Sequence, residues 1–285
     1  MARFDPTRPD FSPYGFSCVR WTPTTMPRCD RHNEIELNLL ESGRLAYLMG
    51  GRKVAVPAGR LTVFWAGIPH QIIDFEGLAE YFVLTIPLVW FLQWRLPDHF
   101  TQPILHGGTI IEPDEGCLAS DRARLELWSE DVRRGAEERC HASLLEIEAR
   151  LRRLALRMAA DLPRRSLRRS PAVLDQRHLS RAEQMACFIA QNYTQPLTAD
   201  AIGQHVGLHP NYAMALFQQT FGTTLIKYVT EHRLSHAQRL LVTTQDSIVN
   251  IAFSSGFGSL SRFNEAFRQS CGCTPREYRR LHQLV

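Results

Sequence analysis

The stretch from Thr198 to Tyr278 writes one pattern twice. With the second copy set about fifty residues after the first, Thr198 meets Ser247, Ile202 meets Ile251, Gly207 meets Gly256 and Leu208 meets Phe257. After a one-residue slip, Phe217 meets Phe267, Gly222 meets Gly272 and Tyr228 meets Tyr278. Each copy predicts helix, tight turn, helix. Thr198 and Ser247 carry hydroxyls that accept an orphan N–H at a helix start. Ile202 and Val206 share one face, as do Ile248, Ile251 and Ala252. Gly207 and Gly256 fall where a left-handed turn excludes a Cβ, and Gly222 and Gly272 are C-cap stops. Tyr212, Leu216 and Phe217 are expected inward on the second helix of the first copy, and Phe263 and Phe267 on that of the second.

Two short helices joined by a glycine turn form a helix-turn-helix, whose second helix enters a DNA major groove. A single such pair fits an ordinary helical bundle more readily. Two pairs in register point to DNA.

The run Arg233-Leu-Ser-His-Ala-Gln-Arg-Leu-Leu241, then Ile251-Ala252, Gly256-Phe257, Phe263, Phe267 and Gly272-Cys-Thr-Pro-Arg-Glu-Tyr278, resembles the DNA-binding domain of AraC/XylS-type transcription regulators. The resemblance covers the C-terminal part and implies two helix-turn-helix units joined by a long helix. Ile226, Val229, Leu234, Ala237 and Leu241 mark that helix. It would set the reading helices about 34 Å apart, one DNA turn.

Helical geometry then selects the reading residues. Pro210 suits the first position of a helix. Beyond it Asn211, Met214, Ala215 and Gln218 are expected outward; the amides can pair with adenine and the apolar pair can touch thymine methyls. The resemblance implies Arg where this chain has Ala215, so a guanine contact is lacking there. In the second unit Ser259 is the expected N-cap, and Ser261, Arg262 and Glu265 face the groove. Arg262 suits guanine; Glu265 suits a cytosine amino group or a bond to Arg262. His209, Lys227, Arg233, Ser259 and Arg268 are expected at phosphates, which set register rather than sequence.

Charge agrees with this division. Of the net +4, roughly +3 falls in the C-terminal module and about +3 in the short segment before it, leaving the N-terminal part slightly acidic. No run has the apolar length of a membrane span, and the start lacks the apolar core of a secretory signal. The seven cysteines are scattered without zinc-ligand spacing. Reduced thiols in a cytoplasmic protein are expected.

The first 115 or so residues read as short strands. Ile35, Leu37 and Leu39 alternate with Glu34, Glu36 and Asn38. Residues 45–49 and 52–56 flank Gly50-Gly51, a hairpin signal. Residues 61–65 and 81–86 are further strands, and the whole predicts a sandwich or small barrel. Glu36 followed by Gly43, and Gly51 followed by Pro57-Ala-Gly59, resemble parts of two cupin motifs. That resemblance implies a metal set of three His and a Glu. Here Asp30 stands at the first His position, His32 and Glu36 at the next two, and Thr62 at the last. With two imidazoles gone, no metal or other cofactor is expected.

A ligand barrel remains the expectation. His32, Glu34, Glu36, Trp65, His70 and Trp90 are its candidate pocket residues, aromatic faces for a sugar ring with polar groups for its hydroxyls. Residues 32–38, 64–71 and 211–218 together resemble the melibiose-operon subgroup of the same family, which implies a small sugar effector and an activator of catabolic genes. Leu144, Ile147, Leu151, Leu154 and Met158 recur at spacings of three and four. Such a stripe suits packing on the chain's own barrel or on a second copy; the resemblance implies the second. Residues 161–171, rich in Arg with two Pro, read as a linker.

The fold expected is therefore α+β. An N-terminal cupin-like β-barrel (jelly roll) with a helical dimerisation segment spans 1–162, a linker 163–178, and an all-α double helix-turn-helix domain 179–285. The function expected is a sequence-specific, non-enzymatic transcription regulator. Its expected partners are double-stranded DNA, a small sugar, RNA polymerase and a second copy of itself. The rivals are a metal-dependent cupin enzyme tethered to DNA and a ligand-independent architectural DNA binder.

Overall fold

The computed structural model describes residues 2–9, 12–165 and 180–282, with 161–165 by backbone alone. Most of the expected linker lies outside the described residues, while 163–165 continue a helix.

Two antiparallel sheets build the front of the molecule. Strands β1 (Ser17–Trp21), β2 (Glu34–Leu40), β5 (Thr62–Trp65), β7 (Tyr81–Pro87) and β8 (Ile110–Ile111) form one, in the order β1-β7-β2-β5-β8. Strands β3 (Arg44–Met49), β4 (Arg52–Pro57) and β6 (His70–Glu76) form the other, in the order β4-β3-β6. Gly50 and Gly51 join β3 to β4 with φ of 52° and 71°, the paired positive angles of a two-residue hairpin turn. Among the described residues, single bridges at Asp30–His70 and Leu40–Ala58 accompany the sheets, but no ladder closes them. The expected barrel is thus two sheets with free edges: β6 pairs with β3 alone, and β5 is flanked only by β2 and the two-residue β8.

Alternation in β2 decides what each face meets. Ile35, Leu37 and Leu39 turn outward onto a helical layer. That layer is α1 (Leu88–Gln93), α2 (Asp98–Leu105), α3 (Leu118–Arg134) and α4 (Glu137–Arg165). Glu34, Glu36 and Asn38 are buried too, so the polar face of β2 meets the protein interior rather than water.

The stripe on α4 belongs to this layer. Ile147, Leu151, Leu154 and Met158 are buried beside Phe91, Phe100 and Trp128, and Leu144 is half-buried. The residues expected to pair two chains instead seal the chain's own sheet, because an apolar stripe with heptad spacing fits either surface. Arg150 fixes the packing: its buried guanidinium bonds Glu112 and Asp121 at 2.6 Å. Removing one partner of such a buried group strands the other charge, at a cost of about 3–5 kcal/mol.

The back is all helix: α5 (Arg181–Asn192), α6 (Ala199–His205), α7 (Pro210–Phe221), α8 (Leu225–Thr243), α9 (Ile248–Ser254), α10 (Leu260–Cys271) and α11 (Pro275–His282). The expected caps form. Thr198 accepts from the Ala201 N–H at 3.2 Å and Ser247 from Asn250 at 3.1 Å. Gly207 and Gly256 take φ of 68° and 92°, and Gly222 and Gly272 end α7 and α10 at 64° and 70°.

Helix α8 carries more than its apolar stripe. Glu231, His232, Ser235 and Gln238 are buried on it, while Ile226, expected in the stripe, is exposed. These polar residues are buried because α8 lies against the front half. Ser235 donates to the Gly67 carbonyl. Arg31 donates to the Glu231 carbonyl at 3.1 Å and to the Ser270 hydroxyl of α10. Cys187 of α5 donates to the Gly51 carbonyl, and a Cβ on Gly51 would strike the Ala186 carbonyl.

Candidate nucleic-acid interface and ligand cavity

Helices α7 and α10 hold the expected outer faces. Asn211, Met214, Ala215 and Gln218 are exposed, and so are Ser261, Arg262 and Glu265. Phe217 and Phe267 are fully buried beneath them. One inward position differs from expectation. Tyr212 is 59% exposed and Ala213 takes the buried place, in register with Phe263 of the second copy. Tyr212 adjoins Asn211 and extends the exposed face of α7.

The phosphate candidates divide. His209, Lys227 and Arg268 are exposed. His209 caps α7, its ring accepting from the Asn211 N–H at 3.4 Å, and Ser259 caps α10, accepting from Arg262 at 3.3 Å. Arg233 is already engaged. Its guanidinium donates to the carbonyls of Tyr193 at 2.7 Å and Gln195 at 2.9 Å, tying α8 to the segment after α5. Two of its nitrogens thus brace the chain after α5.

The front half encloses a cavity of about 270 Å³ between its two sheets. Tyr14, Trp21, Tyr47 and Tyr81 give it aromatic walls; Asp30, His32, Glu36 and His70 give it a polar floor. Strand register explains the convergence. Glu36 stands opposite Thr85, and Thr85 opposite Ser17, so all three share the inner face. His70 enters from the second sheet through its bridge to Asp30.

The polar floor is a single network. His32 bonds Glu34 through Nδ1 at 2.8 Å and approaches Glu36 through Nε2 at 3.3 Å. His70 bonds the Ile68 carbonyl through Nδ1 at 3.0 Å and lies 3.9 Å from Glu36. Asp30 accepts from Tyr14 at 3.1 Å and from Arg8 at 3.2 Å. Burial alone would lower the His32 pKa, but its bonds to Glu34 and Glu36 outweigh it and raise the ring to about 9. Burial favours a neutral Glu36, yet His32 and His70 hold its carboxyl below the usual range. Burial keeps His70 below its ordinary value. The result is one imidazolium among carboxylates beside a neutral imidazole, a set that both donates to and accepts from hydroxyls.

Asp30, His32 and His70 also bring ligand atoms within 4.8 Å of one another. The motif count of lost imidazoles overlooked His70, which arrives by sheet register from outside both motifs. Arg8, Tyr14 and Glu34 already engage this group without an ion.

Three pocket expectations change place. Trp65 points to the helical layer, because it stands opposite Ile35; its neighbour Phe64 faces inward opposite Glu36. Trp90 lies on α1, 36% exposed and tilted against Phe16. Glu34 is outside the cavity wall and holds His32 from behind. Asp30, Tyr14, Trp21, Tyr47 and Tyr81 were missed as wall residues. The alternation of Tyr47 within 45–49 is the one signal that marked an inward aromatic.

Among the described residues, no helix is long and apolar enough to cross a membrane, and all seven cysteines are free thiols.

A family model described as "Helix-turn-helix domain" matches residues 202–281. The melibiose operon regulatory protein of Escherichia coli K12 is 32% identical over 262 residues, covering 92% of this chain and 86% of that protein. The arabinose operon regulatory protein of Salmonella typhimurium is 28% identical over 249 residues, covering 85% and 82%. A solved transcriptional regulator with an AraC-type DNA-binding domain, from Chromobacterium violaceum, is 34% identical over 36% of this chain and 91% of its own, with a TM-score of 0.34. Likeness at that level to a melibiose operon regulator, along nearly the whole chain and through both helix-turn-helix units, makes this chain a member of the AraC family of DNA-binding transcription regulators, and not an enzyme.

Proposed function

We propose that this protein activates carbohydrate-catabolism genes in response to a small sugar held between the two sheets of its front half. The cavity supports the reading: aromatic walls for a ring face, and a buried Asp30–His32–Glu36–His70 floor for hydroxyls. The melibiose operon relative, similar through both halves, makes an α-galactoside the first sugar to test. Residues 1–162 form the sensor, with a cupin-like two-sheet core; 163–178 link it to the reader, 179–285. Asn211, Met214, Ala215 and Gln218 read one major groove, and Ser261, Arg262 and Glu265 the next. His209, Lys227 and Arg268 hold phosphates. The protein works in the cytoplasm as a homodimer on double-stranded DNA and contacts RNA polymerase. The dimer surface lies away from the inner stripe of α4, at exposed Leu127, Leu145 and Leu156.

Sugar binding would favour one arrangement of sensor and reader and so shift promoter occupancy. Thermal denaturation against a sugar panel, paired with promoter footprinting, tests this. One sugar should raise the midpoint and alter the footprint, and His70→Ala should abolish both responses. A panel in which no sugar changes either would remove the reading.

A further inference from the structure

A second cavity, of about 140 Å³, lies where the two halves meet. Arg52, Trp65 and His106 reach it from the front; His232, His236 and Arg239 reach it from α8. No Asp or Glu lines it.

Its chemistry is one-sided. Arg239 has no carboxylate partner among the described ion pairs; it donates to His106 Nε2 at 3.1 Å. His106 is held in place from the other side, its Nδ1 lying 2.7 Å from the Gln102 carbonyl oxygen. Burial and the charges of Arg239 and His106 push His236 down to about 4. Burial and the charge of Arg31 push His232 down to about 3. Every charge acting on these two rings is positive. Two ring nitrogens beside the cavity are also unanswered: Trp65 Nε1, on a residue 1% exposed, and His232 Nε2, on a residue 4% exposed, have no hydrogen-bond partner. The indole N–H can only donate. A buried donor without an acceptor is destabilising, and a half-buried guanidinium without an anion adds to that.

We propose that this cavity binds a phosphate group, either as the free ion or as the phosphoryl end of a sugar phosphate. One tetrahedral anion supplies acceptors to Arg239, to Arg52 and to the Trp65 N–H together, and it reverses the electrostatics that keep His236 neutral. Because Arg52 and Trp65 belong to the sensor and Arg239 to α8 of the reader, the anion ties the two halves together. The site is separate from the sheet cavity, so it stands or falls independently of the sugar reading.

Full-length protein titrated with sodium phosphate, against sodium chloride at equal ionic strength, tests the assignment by calorimetry and thermal denaturation. Phosphate should bind saturably and raise the midpoint. Arg239→Gln should weaken binding about tenfold or more, the loss of one charge-assisted bond. Trp65→Phe removes the indole N–H together with the five-membered ring that bears it, and should weaken binding several-fold. Arg280→Gln, on an exposed arginine of α11, should bind as the parent does. A hexose phosphate binding as tightly as phosphate identifies the free ion as sufficient ligand; a tighter one identifies the ester. The proposal is overturned if neither anion shifts the midpoint beyond chloride, or if Arg239→Gln and Trp65→Phe both bind like the parent.

Discussion

The two helix-turn-helix units share a backbone path and differ in what fills and what faces it. In the first, Gly203 and Ala213 meet across the turn, so α6 and α7 come together with almost no side chain between them. In the second, Ala252 and Phe263 occupy the matching places, and an aromatic ring separates α9 from α10. The outward faces differ as much. Helix α7 has no charged residue, while α10 presents Arg262, Glu265 and Arg268. One scaffold thus carries two kinds of exposed face, one of amides and methyls, the other of charges. A duplicated backbone constrains where side chains project, not what they say to DNA.

Substitutions can break that comparison. Phe263→Ala should cost the second unit about 3–5 kcal/mol, since it empties a fully buried ring site; denaturant titration reads the loss. The matching residue of the first unit is already Ala213, so equal sensitivity there would mean the two cores are built alike. Gly203→Ala is the converse probe. Its Cβ would sit 2.9 Å from the Leu208 carbonyl, and overpacking of this kind costs about 1–3 kcal/mol. The second unit bears that same Ala at position 252.

The faces separate in a DNA-binding assay. Arg262→Ala should cost about 1–3 kcal/mol and relax specificity at one base pair; a uniform loss over all operator variants would reassign Arg262 to the backbone. Arg268→Ala should weaken all sequences alike and lower the salt slope by about one. Gln218→Ala on α7 should leave the salt slope unchanged. The smallest effect is expected at the caps. Thr198→Ala and Ser247→Ala should each cost about 1 kcal/mol of stability, equally, because both hydroxyls make the same bond.

The reader was legible because its signals are local. A hydroxyl three residues from an N–H, or a glycine forced to positive φ, is written within a few residues. Tyr212 is the exception, and it fails for the same reason that the units differ: Gly203 closes the gap an inward ring would need. The front half was less legible because its cavity is assembled by register. The sequence named His32, Glu36 and His70 as pocket candidates, but no spacing in it brings the two rings together or marks Tyr14 beside them. Trp65 failed by one residue of alternation, the smallest error that moves a side chain to the other face of a sheet. The stripe on α4 was read correctly as apolar; its partner is a tertiary fact that heptad spacing does not encode. The apolar stripe of α8 was plain, yet its buried polar side depends on the contact between the halves.

Asp30, Arg31 and His32 are consecutive, and their side chains part company. The first and third look into the sheet cavity; the middle one grips the Glu231 carbonyl and Ser270 in the reader. Two consecutive peptides therefore join the wall of the sheet cavity to the contact with α8 and α10, the shortest covalent path a chain can offer between two such surfaces.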